Sequence, residues 1–213
     1  MARTRKTKQA EILREYGPYP GIDRVHGVTF DGAHVWFARG EGIVAFEPDG
    51  GALVRELAVA AEAGTAFDGE YLWQLANGRI QKIDPRSGRV VGTIPAPAHG
   101  GDSGLTWAEG TLWVGEYRAR KIHQIDPGTG AILRTIESDR FVTGVSWVSG
   151  ELWHATMEDE QSDLRRIDPE TGEVLERLEM PAGVLVSGLE ADGAGVFYCG
   201  GSTSGKVRAV RKP

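Results

Sequence analysis

The sequence predicts an all-β fold, a five-bladed β-propeller of four-stranded antiparallel blades, on three observations. First, five similar stretches open on the glycines at 27, 64, 104, 144 and 188, spaced by 37, 40, 40 and 44 residues, the period at which one repeat makes one blade. Second, each stretch breaks into short segments of alternating apolar residues separated by Gly, Pro or Asp, as strands joined by hairpins do. Third, the last stretch stops after its third segment, while the N-terminus holds one that resembles a fourth.

The clearest repeat is Gly104–Ile136, GLTWAEGTLWVGEYRARKIHQIDPGTGAILRTI. Its first turn carries Glu109-Gly110, matched by Asp31-Gly32, Asp68-Gly69, Ser149-Gly150 and Asp192-Gly193. Glycine there supplies the positive φ of a tight hairpin. The third junction is Pro127-Gly128-Thr129-Gly130, matched by Pro85-Arg86-Ser87-Gly88 and Pro169-Glu170-Thr171-Gly172, where proline presets the turn and glycine closes it. The fifth repeat ends with Lys206–Val210. Ala10–Tyr16 resembles the outer strands Ala131–Ile136 and Glu173–Leu178, so the N-terminal segment is expected to pair with the last blade and close the ring, covering an open sheet edge. Residues 10–213 are read as one domain, and the basic residues 1–9 as a disordered tail.

With 213 residues, 40% hydrophobic and 25% charged, the chain is long enough to bury a substantial core. A net charge of −6 argues against nucleic acid or an anionic membrane as partner. No apolar run reaches membrane-spanning length, and none follows the basic start as a signal peptide would require, so a cytoplasmic location is expected. A lone cysteine, Cys199, leaves no internal disulfide framework.

All six tryptophans fall on two repeat positions: Trp107 and Trp147 in first strands, and Trp36, Trp73, Trp113 and Trp153 in second strands. Recurrence in blade after blade marks them as packing between blades rather than as a ligand cage. The site is expected on the opposite principle, where the blades differ. The loops entering each first strand and those joining second to third strands share one face and vary in length and content, as binding loops on a rigid scaffold do. At the mouth of the central channel on that face stand the residues before the leading glycines: His26, Ala63, Ser103, Thr143 and Ser187. His26 is the one large polar member, and its proton affinity near neutrality suits an acid, a base or a ligand.

Around it the same face offers Asp23, Arg24, His99, Asp102, Glu116, Tyr117, Arg118, His154, Glu158 and Cys199. His26, His154 and Glu116 are acceptable ligand types for a divalent metal, although they come from different blades and form no spacing motif. Cys199 is a possible thiolate nucleophile if a histidine reaches it, or a small buried residue. His34 and His123 are set aside, the first beside a tight turn and the second within a third strand. Asp23-Arg24 and Asp139-Arg140 read as loop-fixing ion pairs.

The repeated Gly-Leu-Thr-x-x-x-Gly-x-Leu-Trp-Val followed by Ile-Asp-Pro-x-Thr-Gly resembles the bacterial and plant glutamine cyclotransferases, over nearly the whole chain from Ala10. The resemblance implies a five-bladed propeller that converts N-terminal glutamine to pyroglutamate with release of ammonia, using a glutamate as acid and base at the channel mouth. It departs from that family where His26-Gly27-Val28 replaces Gln-Gly-Leu, and where Ser103 and Thr143 replace a tryptophan and a glutamate. On this reading His26, Glu62 and Glu116 are the catalytic candidates. Asp102, Ser103, Tyr117, Thr143, His154 and Ser187 are the substrate-binding ones, and the ligand is a small molecule or peptide. Two alternatives stand beside it: a non-catalytic binding propeller using the same mouth, and a metal-assisted lyase like the streptogramin lyases.

Overall fold

In the computed structural model, which describes residues 6–213, the repeats fold into five antiparallel sheets arranged as blades. Blade 1 runs through Val28–Phe30, Val35–Ala38, Ile43–Phe46 and Leu53–Leu57, and blade 2 through Thr65–Phe67, Leu72–Ala76, Arg79–Ile83 and Val90–Pro95. Blade 3 comprises Asp102–Ala108, Thr111–Glu116, Lys121–Ile125 and Ile132–Glu137, and blade 4 Val142–Val148, Glu151–Glu158, Gln161–Ile167 and Val174–Glu179. Blade 5 supplies Gly188–Ala191, Val196–Gly200 and Val207–Arg211, and takes its outer strand from Ile12–Tyr16.

That N-terminal strand pairs antiparallel with the last one, Tyr16 opposite Val207 and Ile12 opposite Val210, and so closes the ring as the repeat pattern predicts. It also grips the neighbouring blade. The Tyr16 hydroxyl donates to the Pro48 carbonyl at 2.8 Å, and Arg14 donates to the Pro48 and Asp49 carbonyls. Arg55 and Arg134 repeat the staple from blades 1 and 3, donating to the carbonyls of Pro85 and Pro169 in the turn of the next blade. Arg14 therefore performs an outer-strand task at the one place where the chain order is broken.

The start of the chain departs from the expected tail. Lys6–Gln9 forms a further strand, parallel to Val174–Glu179 at the edge of blade 4, with Lys8 paired to Glu176 at 3.0 Å; residues 1–5 of the expected tail lie outside the described residues. Blade 4 thus has five strands. An outer strand offers unpaired backbone groups to any extended segment beside it, a possibility that composition alone does not reveal.

The core lies between blades. Trp73 of blade 2 stacks on Trp107 of blade 3 with ring centroids 5.9 Å apart, and Trp113 of blade 3 stacks on Trp147 of blade 4 at the same distance. Trp36 of blade 1 packs in a cluster with Phe67 of blade 2. Each stack buries apolar area between sheets, and the indole N–H groups of Trp36 and Trp73 donate to Asp31 and Asp68 at 2.7 and 2.8 Å.

The five leading glycines have a common reason. A Cβ on Gly27 would stand 2.4 Å from the Ala63 carbonyl oxygen, and one on Gly64 2.5 Å from the Leu105 nitrogen. Gly104, Gly144 and Gly188 would each meet the backbone of the following blade at 2.6 Å. Adjacent first strands thus touch main chain to main chain around the axis, where only glycine fits.

Candidate functional site

A cup of about 500 Å³ opens at the variable-loop face of the propeller. His26, Ala63, Ser103, Thr143 and Ser187, one from each blade, all line it. The glycine ring follows immediately along each first strand, and among the described residues neither it nor any first-strand residue beyond it lines the cavity. Loop residues complete the wall, including Arg24, Glu62, Asp102, Glu116, Tyr117 and Met157. The volume falls within the range typical of small-ligand sites.

The polar groups of the cup are not equally free. Ser103 donates to the carbonyls of Val142 and Gly115 at 2.7 and 3.1 Å, tying blade 3 to blade 4. Ser187 donates to the carbonyls of Val25 and His26 and accepts from the Ser202 amide, tying blade 5 to blade 1. Asp102 accepts the Ala98 and Gly100 amides on its two oxygens at 3.0 and 3.2 Å and fixes the loop before its own strand. These three side chains hold the scaffold. Thr143 differs: it is 5% exposed, and its Oγ1 has no hydrogen-bond partner among the described residues.

Of the remaining carboxylates, Glu62 is exposed at the rim and accepts the Asn77 amide at 2.9 Å. Glu116 is better sheltered, at the end of the second strand of blade 3 between Asp102 and Lys121. One of its oxygens is 3.1 Å from His123 Nε2, and His123 Nδ1 lies 2.9 Å from Thr135 Oγ1. Burial, and then the charge of Arg24, lower the pKa of His26 against the opposing pull of Glu62, so the imidazole is neutral at neutral pH and able to accept a proton. Tyr117 lies against Phe141, ring centroids 4.9 Å apart, and presents an aromatic wall.

Three sequence expectations fail here. His154 does not reach the cup. It is 1% exposed within blade 4 and borders a separate groove beside Asp139 and Gly172, because a side chain in mid-strand points between blades. The trio His26, His154 and Glu116 is consequently no ligand set, and among the described residues no group of three or more His, Cys, Asp or Glu side chains could hold a metal. Asp139 and Arg140 do not pair with each other. Asp139 pairs with Arg165, while Arg140 lies 3.7 Å from Glu158. Cys199 resolves toward packing: it is 1% exposed in an apolar cluster with Leu189 and Phe197, and burial raises its thiol to about 12. His123, set aside on sequence, is the residue that sequence reasoning missed. The available signal was a histidine in a third strand whose register places it diagonally beside Glu116.

A family model described as outer membrane protein assembly factor BamB matches residues 76–212. The chain belongs to that family. No curated protein sequence matches it. Among solved structures, the glutaminyl cyclase of Myxococcus xanthus superposes with a TM-score of 0.80 at 18% identity, covering 98% of both chains. The virginiamycin B lyase of Staphylococcus aureus gives 0.53 at 17% identity, over 94% of this chain and 70% of that one. The propeller domain of Cps50 (Swd1) from Myceliophteria thermophila gives 0.61 at 10% identity, over 96% of this chain and all of that domain. At these identities the likeness shows the fold, which unrelated chemistries share.

Proposed function

We propose that the cup binds the amine end of a small molecule or peptide and catalyses a cyclotransferase-type reaction on it, with Glu116 as the acid and base. The observation that carries this reading is the different employment of the carboxylates in the cup. Asp102 is spent on two backbone amides, Glu62 is exposed, and Glu116 is sheltered, held on one oxygen by an imidazole. A partly desolvated carboxylate within reach of a bound amine suits proton transfer better than one in open water. The reaction type is taken by analogy from the glutaminyl cyclase that shares this fold.

In such a reaction the α-amine nitrogen of a glutaminyl substrate attacks its own side-chain amide carbon, closing a ring. The bond to the amide nitrogen then breaks and ammonia leaves. One proton must pass from the attacking nitrogen to the leaving one, and Glu116 would take it and return it. Thr143, whose hydroxyl is unpartnered, would donate to the amide oxygen as negative charge develops there.

The test is incubation of the protein with a glutaminyl dipeptide, following ammonia release and the matching mass loss in the product. Ammonia release is expected, and Glu116→Gln should reduce it by about 100-fold or more. Binding of the dipeptide without ammonia release would leave the cup a non-catalytic binding site. That second reading is favoured by one specific observation, the spending of Ser103 and Ser187 on backbone carbonyls.

A further inference from the structure

Behind the wall of the cup a line of three side chains crosses blade 3 from the axis to its rim. Glu116 ends the second strand, His123 sits in the third and Thr135 in the outer one. Register aligns them: His123 pairs with Val114 and with Thr135, and Glu116 lies one pleat along the same face. His123 is 5% exposed, so its two ring nitrogens depend on protein partners, and both have one. A buried imidazole would be an expensive way to fill space.

The direction of the hydrogen bonds follows from chemistry. An ionised carboxylate only accepts, so His123 Nε2 carries the ring proton and donates to Glu116. In the neutral ring Nδ1 is then the acceptor, and the Thr135 hydroxyl donates to it. The carboxylate thereby selects the tautomer of the histidine, the threonine hydroxyl at the rim satisfies its other ring nitrogen, and the histidine in turn holds one oxygen of a carboxylate in the cup. Among the described residues the other Glu116 oxygen has no protein partner, which leaves it for the ligand.

We infer that His123, with Thr135 behind it, is the positioning residue that holds Glu116 in its working orientation. Neither side chain touches the ligand. This rests on the cyclotransferase reading of the cup for its catalytic consequence, but not for its geometry, so the two can fail separately.

The test has two arms, both on the full chain. In the first, ¹⁵N-histidine NMR of the protein without ligand should show His123 neutral with its proton on Nε2. A ring protonated on Nδ1, or exchanging freely between tautomers, would overturn the inference whatever the enzyme does. In the second, ammonia release from a glutaminyl dipeptide is compared among four variants. His123→Leu should lower kcat about tenfold with KM nearly unchanged, and His123→Gln, which keeps an N–H donor, should recover much of the loss. Thr135→Val should cost several-fold in kcat and Thr135→Ser nothing. Thr135 is exposed, so its variants fold even if those of His123 do not. Equal kcat for Thr135→Val and Thr135→Ser, together with an unchanged kcat for any folded His123→Leu, would sink the proposal. Absence of ammonia release from the unaltered protein, with His123 locked on Nε2, would instead count against the reaction and leave the positioning contact standing.

Discussion

Blades 3 and 4 carry the same lattice of positions and use it for opposite ends. Glu116, Lys121, His123 and Thr135 of blade 3 correspond by register to Thr156, Asp163, Arg165 and Arg177 of blade 4, and Val114 corresponds to His154. In blade 3 the line opens into the cup at Glu116. In blade 4 it is sealed: Arg165, 1% exposed, donates two hydrogen bonds of 2.8 and 3.0 Å to Asp163, 3% exposed. Thr156 and Arg177 close on the same carboxylate, and Asp139 caps the guanidinium. Burial alone would raise the Asp163 pKa, but the bonds from Arg165 and Thr156 outweigh it and hold it below the ordinary value. A carboxylate surrounded by donors is structural, whereas one with a free oxygen at a cavity is available for chemistry.

The largest expected effect separates the two directly. Asp163→Ala leaves the buried Arg165 guanidinium with Asp139 as its one carboxylate, and breaking such a buried pair costs about 3–5 kcal/mol, read as a large fall in the denaturant midpoint. Glu116→Gln should shift that midpoint little while removing activity. If Glu116→Gln proved as destabilising as Asp163→Ala, both lines would be structural and the contrast would collapse.

A smaller effect comes from His154, whose place in blade 3 is taken by Val114. Burial, then the charge of Arg165, depress its pKa from 6.5 to about 4. Its stabilising contribution is therefore complete above pH 6.5 and is lost as pH falls toward 4, where the unfolded chain binds a proton that the folded one resists. His154→Val should remove up to about 3 kcal/mol of that acid sensitivity. The measurement is denaturant melts of both proteins at a series of pH values. Glu190, which burial raises to about 7, has the opposite dependence, its contribution being lost as pH rises from 4.5 through 7. It is present in both proteins and cancels in the comparison. Parallel stability curves would show that His154 is not buried as described.

The smallest effect concerns the extra strand at the edge of blade 4. Removing residues 1–9 deletes an exposed strand and the Lys8–Glu176 pair, a loss of about 1 kcal/mol or less. Extending the deletion to residue 17 removes Tyr16 and the closure of the ring, and the melting temperature should then fall sharply. Similar losses from both truncations would mean that the first strand, and not the second, fastens the ring.

Much of this protein is legible without coordinates. Five glycines at a steady spacing, tryptophans at two fixed positions and an orphan outer strand at the N-terminus specify a closed five-bladed ring, because repeats make the same local demand five times. The mouth is legible too, since each residue before a leading glycine must stand beside the axis. The employment of those residues is not. Ser103 and Ser187 look like binding groups until neighbouring strands place carbonyls within reach, and His154 looks available until its blade closes over it. His123 looks irrelevant until register sets it against Glu116. Periodicity fixes which way a side chain points along its own strand, whereas its hydrogen-bond partners come from strands distant in sequence and exist only once the sheet has formed.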